Sequence, residues 1–205
     1  MSEAFSAVAT AVELVVRLDP DLVEIVALSL KVSLSAVLIA AMVGLPLGAG
    51  VALVKFPGRR GAVILLNAAM GLPPVVVGLV VYLLLSRAGP LGELGILFTP
   101  MAMVIAQSIL ITPIIAALTR QTISDLHEEY DEYLCSLGAG HLQRITTLLW
   151  EGRFRLLTGL LAGFGRASAE VGAVIIVGGN INHVTRVMTT TIALETSKGN
   201  LNLAL

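Results

Sequence analysis

Three long stretches without a charged side chain dominate the first 120 residues of the sequence. They cover residues 32–54, 61–86 and 94–119. Each is longer than the roughly 20 apolar residues that a helix needs to cross about 30 Å of hydrocarbon. The whole chain is 56% hydrophobic and 13% charged, against about 25% charged residues in soluble domains. The sequence therefore predicts a helical membrane protein.

A fourth apolar stretch, residues 156–178, contains two charged side chains, Arg166 and Glu170. Charged groups inside a membrane are costly and occur mostly at paired or functional positions. If the stretch is one helix, their i, i+4 spacing places both on one face. Two interpretations remain open: the two charges satisfy each other, or Arg166 also has a functional role.

The two ends of the chain carry weaker patterns. Residues 1–20 alternate apolar and polar positions at helical spacing, which favours an interfacial amphipathic helix over an ordinary surface helix or a frayed end. The polar segment 179–200 predicts a loop with a short helix, and residues 201–205 begin another apolar run. We therefore expect an all-α polytopic fold with four complete transmembrane helices and the start of a fifth, cut short after Leu205.

The basic residues predict the orientation of the chain. Lys and Arg concentrate between the first two apolar stretches and within residues 120–155, and basic loops face the cytoplasm. The N-terminus is then outside, and 120–155 is the largest cytoplasmic segment. A net charge of −1 argues against nucleic-acid binding. One cysteine and three histidines without ligand spacing argue against a metal site.

Five prolines lie within or beside the apolar stretches, at positions 46, 73, 74, 100 and 113. Each removes a backbone donor and tends to kink a helix. The freed carbonyl groups then need neighbouring helices or water. Pro73 and Pro74 therefore predict an interior position for the second stretch, although helix distortion without any role in transport is an equal alternative.

The cytoplasmic segment 121–155 predicts a helical hairpin that turns at residues 138–140. Its second arm carries apolar residues at helical spacing, namely Leu142, Ile145, Leu148 and Leu149. An amphipathic helix of this kind is commonly buried in a groove of another protein. The hairpin therefore indicates a cytoplasmic partner.

At this hairpin the sequence resembles the coupling motif of ABC importer permeases. Glu132, Leu137, Gly138, Ala139 and Gln143 stand at the motif positions. The chain departs from the motif at Tyr133 and Leu134, which replace two alanines, and at 148–151, which replace its usual ending.

Three further regions are similar to molybdate- and tungstate-type permeases, closest to the tungstate branch. They are residues 71–79 with 87–92, residues 165–173, and residues 177–181 with 188–196. Together with the hairpin they extend the resemblance over residues 21–205, as one permease domain that follows the N-terminal segment 1–20.

The resemblance implies a homodimer in the plasma membrane of a prokaryote, with two cytoplasmic ATPase subunits and an external oxyanion-binding protein. It also implies import of tungstate, or less readily molybdate, by alternating access. The chain lacks the G-x-x-x-x-G-K-[ST] loop that holds phosphates. We therefore expect no cofactor on this chain, with ATP and Mg²⁺ on the ATPase partner. The candidate path residues are Pro73, Pro74, Arg166, Glu170, Asn180, Thr189 and Thr190.

Several alternatives stay open from the sequence alone. The threonine and asparagine side chains near residues 180–191 fit loop capping as well as contact with an oxyanion. The acidic run within 125–132 fits a solvated helix face better than a catalytic or metal site. The transported solute could instead be sulfate, phosphate or an amino acid, and a passive channel or helical scaffold has the same composition.

Overall fold

The computed structural model describes residues 16–199, apart from the side chain of His141. Most of the predicted interfacial helix and all of residues 201–205 lie outside this part. The described helices are α1 Pro20–Leu53, α2 Arg59–Met70, α3 Pro74–Leu85, α4 Pro100–Ser136, α5 His141–Glu151, α6 Arg153–Ser168, α7 Gly172–Gly178 and α8 Met188–Ser197, with a 3₁₀ turn at Gly92–Leu94. Residues 16–199 contain no strand, so the predicted all-α class is confirmed.

Two helices are long and apolar enough to cross a membrane unaided. They are α1, with 34 residues, and α4, with 37. At about 1.5 Å per residue, α4 is roughly 55 Å long, well beyond the hydrocarbon thickness. The pairs α2 with α3 and α6 with α7 qualify only if each broken pair is taken as one span. The described chain thus contains two to four candidate spans, and four spans remain a prediction.

The second apolar stretch is not a single kinked helix as predicted. Instead, α2 ends at Met70 and α3 begins at Pro74, with residues 71–73 between them. Proline disfavours helical backbone in the residue before it and lacks an amide donor, but it fits the first position of a helix. Pro73 and Pro74 therefore interrupt the stretch and start α3.

The third stretch is displaced and extended relative to its prediction. Helix α4 begins at Pro100, so residues 94–99 are outside it, and it continues through the acidic segment to Ser136. The predicted first arm of the cytoplasmic hairpin is helical, and it is continuous with α4. Helix-forming residues fill positions 120–136, and neither glycine nor proline occurs there before Gly138, so nothing in the sequence stops the helix.

The fourth stretch is also interrupted. Helix α6 ends at Ser168 and α7 begins at Gly172. The predicted common helix face for Arg166 and Glu170 is therefore wrong, because Glu170 lies in the break. Two features explain the break. Gly172 directly follows it, and glycine disfavours helix. The Glu170 carboxylate also accepts a hydrogen bond from the amide of Ala173 (3.1 Å) at the start of α7.

The helices divide into two compact units, each described here by itself. The first unit holds residues 16–35, 73–107 and 168–199. In it α3 packs closely on α7, where Gly78 faces the backbone of Ala173. The amide of Phe98 donates to the carbonyl of Val177 (3.0 Å), and the amide of Met188 donates to the hydroxyl of Ser29 (2.8 Å).

The second unit holds residues 36–72 and 108–167. Small residues bring its helices together: Gly48 of α1 lies against α4 at Ala116 and Thr119, and Gly163 of α6 lies against Ile111. Small residues let helix backbones approach each other closely in lipid.

Candidate functional site

The hairpin turn is built around Gly138. Its φ of +65° is left-handed, a conformation that costs a residue with a side chain about 1–2 kcal/mol. The amide of Gly138 donates to the carbonyl of Cys135 (3.0 Å), and the amide of Ala139 donates to that of Leu134 (3.1 Å). This pair of bonds is the Schellman ending of a helix. The Leu-Gly-Ala match in the sequence therefore forms the turn that ends α4.

Two polar side chains fix the second arm of the hairpin. The amide of Gly140 donates to Oε1 of Gln143 (3.0 Å), which caps the start of α5. Arg144 donates from Nε to the carbonyl of Ala139 (2.9 Å) and from Nη1 to Oδ1 of Asp131 (3.3 Å). Arg144 thus ties α5 to the turn and to α4. In the sequence, Arg144 is only one of the basic residues that predict the orientation of the chain in the membrane. No spacing rule connects it with Asp131.

The inner face of the hairpin packs on its own chain. Leu148 of α5 is fully buried, in a cluster with Ala49, Ala52, Ile123, Leu126 and Leu134. Ile145 and Leu149 are half-buried against the same cluster. Residues of α1 and α4 therefore already cover these three side chains, and a partner of the hairpin would contact its other apolar residues.

The outer face leaves a different apolar set uncovered. Tyr133, Leu137 and Leu142, which we call the hairpin tip, are 62%, 64% and 77% exposed. Glu132, the acidic motif residue, is exposed beside them. Along the chain, the hairpin tip lies beyond the apolar part of α4. An exposed apolar patch with a polar rim is characteristic of a protein interaction site.

Candidate path residues meet at the two helix breaks. Glu170 is only 4% exposed, and Thr189 donates its hydroxyl hydrogen to the backbone carbonyl of Glu170 (2.9 Å). A side chain at Gly172 would lie 2.8 Å from Cγ2 of Val75, in the turn that Pro73 and Pro74 start. The first unit therefore holds the start of α3, the break before α7 and Thr189 side by side.

Arg166, the remaining charged candidate for the path, belongs to the second unit. Arg166 is half-buried in the last turn of α6. Its part in anion movement stays a prediction.

The hydroxyl groups of the loop before α8 are occupied within the protein. Thr185 accepts from the amide of Ile181 (3.0 Å) and donates to the carbonyl of Gly178 (2.5 Å). Thr190 accepts from the amide of Val187 (3.1 Å), and Nδ2 of Asn180 contacts the carbonyl of Thr190 (3.5 Å). Thr185 and Thr190 are fully buried. Both threonines therefore make capping contacts within the fold, and a contact of Thr190 with an anion stays a prediction.

An ionisable cluster, absent from the sequence predictions, joins the same loop to α1. Nδ1 of His183 lies 2.9 Å from Oε2 of Glu24, and the ligand atoms of Asp21, Glu24 and His183 lie within 4.8 Å of one another. The hydrogen bond to Glu24, and then its negative charge, raise the pKa of His183 above the ordinary 6.5. The partners are 159 positions apart, so no sequence spacing indicated this contact.

We expect the His183 contact to stabilise the protein most in acid. Because the folded-state pKa of His183 is raised, its contribution is fully present below pH 6.5 and disappears as the pH rises through the folded value. Replacing His183 with Gln should therefore lower the melting temperature more at about pH 5.5 than at about pH 8.5. Thermal unfolding in detergent at both values measures this, and an equal loss at both would contradict it.

Most of the chain is similar to known membrane proteins. Residues 44–199 match the family described as the binding-protein-dependent transport system inner membrane component. The chain belongs to this family. The match includes α2 to α8 and the hairpin. The predicted resemblance to ABC permease subunits is thereby confirmed.

Individual members of this family align with most of this chain. The tungstate uptake system permease protein TupB of Peptoclostridium acidaminophilum is 42% identical over 205 residues, which is 100% of this chain and 89% of that protein. A probable anion ABC transporter permease protein of Haloferax volcanii is 40% identical over 185 residues, 88% of this chain and 80% of that one. The sulfate transport system permease protein CysW of Escherichia coli strain K12 is 30% identical over 174 residues, 82% of this chain and 60% of CysW.

Proposed function

We propose that the chain is the channel-forming subunit of an ATP-driven importer for tungstate. The single observation that carries this proposal is the full-length similarity of 42% to a tungstate uptake permease. The hairpin tip supports it, because a passive channel has no need of an exposed apolar surface outside the lipid. Molybdate is a second substrate of nearly the same size and charge.

The partners follow from the same proposal. Two copies of the chain form the path, and an external oxyanion-binding protein delivers the anion. Two ATPase subunits hold ATP and Mg²⁺ and dock on the hairpin tip, where Leu137 and Leu142 enter a groove of the partner. The basic loops place the hairpin in the cytoplasm and the N-terminus outside. Alternating access then moves the anion inward past the helix breaks.

The helix breaks suit a path for an oxyanion. Broken helices at membrane depth are tolerated where they are buried in protein or line a cavity. Pro73, Pro74, Glu170 and Thr189 lie at such breaks, and Asn180, Thr190 and Arg166 are further candidates along the path. Contacts of a transported ion must be weak enough for release, which suits hydroxyl and amide groups already held by the fold.

Reconstitution of the chain into liposomes with its ATPase and binding protein tests the proposal. We expect tungstate to accumulate inside only when ATP is present on the hairpin side, and molybdate to compete for entry. Sulfate transport is the second candidate, favoured by the 30% identity to the Escherichia coli protein CysW. Accumulation of sulfate without tungstate would select that alternative, and entry without ATP would indicate a passive channel.

A further inference from the structure

Three arginines surround a groove at the base of α2. Arg59, Arg60, Val63 and Ile64 of α2 line it together with Arg120 of α4, and its volume is about 360 Å³. All five residues belong to the second unit. None of the three guanidinium groups forms an ion pair with a carboxylate of residues 16–199. The groove is therefore strongly positive.

One of the arginines is held in place by the fold. Arg59 donates from Nε to the carbonyl of Val51 (2.8 Å) and from Nη2 to that of Ala52 (2.6 Å), at the end of α1. Nε of Arg120 is buried and has no hydrogen-bond partner within the described chain. An arginine side chain stays protonated in proteins, so Arg120 keeps its positive charge beside the groove.

The depth of the groove matches the surface of a bilayer. Arg120 directly follows the charge-free stretch 94–119, and Arg59 and Arg60 lie shortly after the charge-free stretch 32–54. Both stretches end where the hydrocarbon ends, so the guanidinium groups lie at the level of lipid head groups. Ile64 on the wall of the groove is 68% exposed, as expected of a side chain that contacts lipid.

We propose that this groove binds an anionic phospholipid on the cytoplasmic side of the membrane. The phosphate diester lies between Arg60 and Arg120 and accepts hydrogen bonds from their guanidinium groups. The acyl chains run along Val63 and Ile64. Planar guanidinium groups match phosphate oxygens well, and basic pockets between membrane helices are suited to such head groups. The apolar wall favours a lipid over free phosphate, and the proposal holds whichever anion is transported.

Native mass spectrometry of the full chain in mild detergent tests this assignment. We expect phosphatidylglycerol to be retained at least about fivefold more than phosphatidylcholine with the same acyl chains. Arg60→Gln and Arg120→Gln should each lower retention of phosphatidylglycerol about fivefold, since each removes one basic contact. Arg60 is exposed, so its variant leaves folding unchanged even if the Arg120 variant does not fold.

Arg155→Gln is the matched control, because Arg155 is exposed on α6 and does not line the groove. Its retention of phosphatidylglycerol should equal that of the unmodified protein. Equal retention of the two lipids, or equal losses in the Arg60 and Arg155 variants, would overturn the proposal. So would displacement of the lipid by millimolar glycerophosphate, which would assign the groove to a free phosphate group.

Discussion

Leu142→Asp is expected to abolish ATP-driven import by this permease and to weaken capture of its ATPase roughly 100-fold. Leu142 is 77% exposed at the hairpin tip, so the isolated chain should fold and insert normally. Burying a leucine side chain stabilises a complex by about 1.5–3 kcal/mol, and a carboxylate in its place must also lose water. Together these effects amount to about two orders of magnitude in affinity.

Co-purification with the ATPase and uptake into liposomes measure this effect. Thr147→Asp is the matched control, since it adds the same charge at an exposed polar position of the same helix. The control should retain both ATPase and uptake. If the Leu142 variant imports normally while the ATPase remains bound, the hairpin tip is not the docking surface.

Gly48→Val should be the most destabilising single change within the helix pair α1 and α4. A Cβ atom at Gly48 would lie 2.7 Å from Cβ of Thr119 and 3.0 Å from the backbone nitrogen of Arg120, and closer still to the carbonyl oxygen of Ala116. Two of these atoms are backbone, so the helices must separate. Forced overpacking of this kind costs about 1–3 kcal/mol and occasionally more, and we expect about 3 kcal/mol here.

Gly50→Val provides the control for the Gly48 variant. Gly50 lies two residues further along α1, and a Cβ atom there meets nothing within 4 Å. Both changes alter helix propensity equally, so the difference in their free energies of unfolding isolates the contact with α4. Denaturant titration in detergent measures that difference, and equal values for the two variants would exclude close packing at Gly48.

The sequence predicted those features that depend on neighbouring residues. Charge-free stretches located α1 and most of α4 because hydrocarbon thickness sets the length of such a helix. The Leu-Gly-Ala segment located the hairpin turn because a left-handed residue at a helix end is usually glycine. The polar segment after residue 178 correctly predicted a loop followed by a short helix, which is α8.

Features that depend on distant contacts could not be read in the same way. Two local breaks were missed as well, because a hydropathy window treats 61–86 and 156–178 as continuous, whereas the helices are interrupted at Pro73 and Pro74 and at Glu170. The pattern of α5 shows which face is apolar but not what covers it, and Leu148 packs on its own chain. The contact of His183 with Glu24 joins positions that only the folded chain brings together.

The unbroken course of α4 has a mechanical consequence. About 20 of its residues, from Pro100 to Thr119, match the thickness of the hydrocarbon, and the remainder projects from the membrane to the turn. A force on the turn is therefore transmitted along α4 to the buried portion. Inside α4, one backbone hydrogen bond is missing at Pro113, which has no amide hydrogen to donate. Bending strain should concentrate at Pro113, so α4 is most flexible within the part of the helix that lies in the membrane.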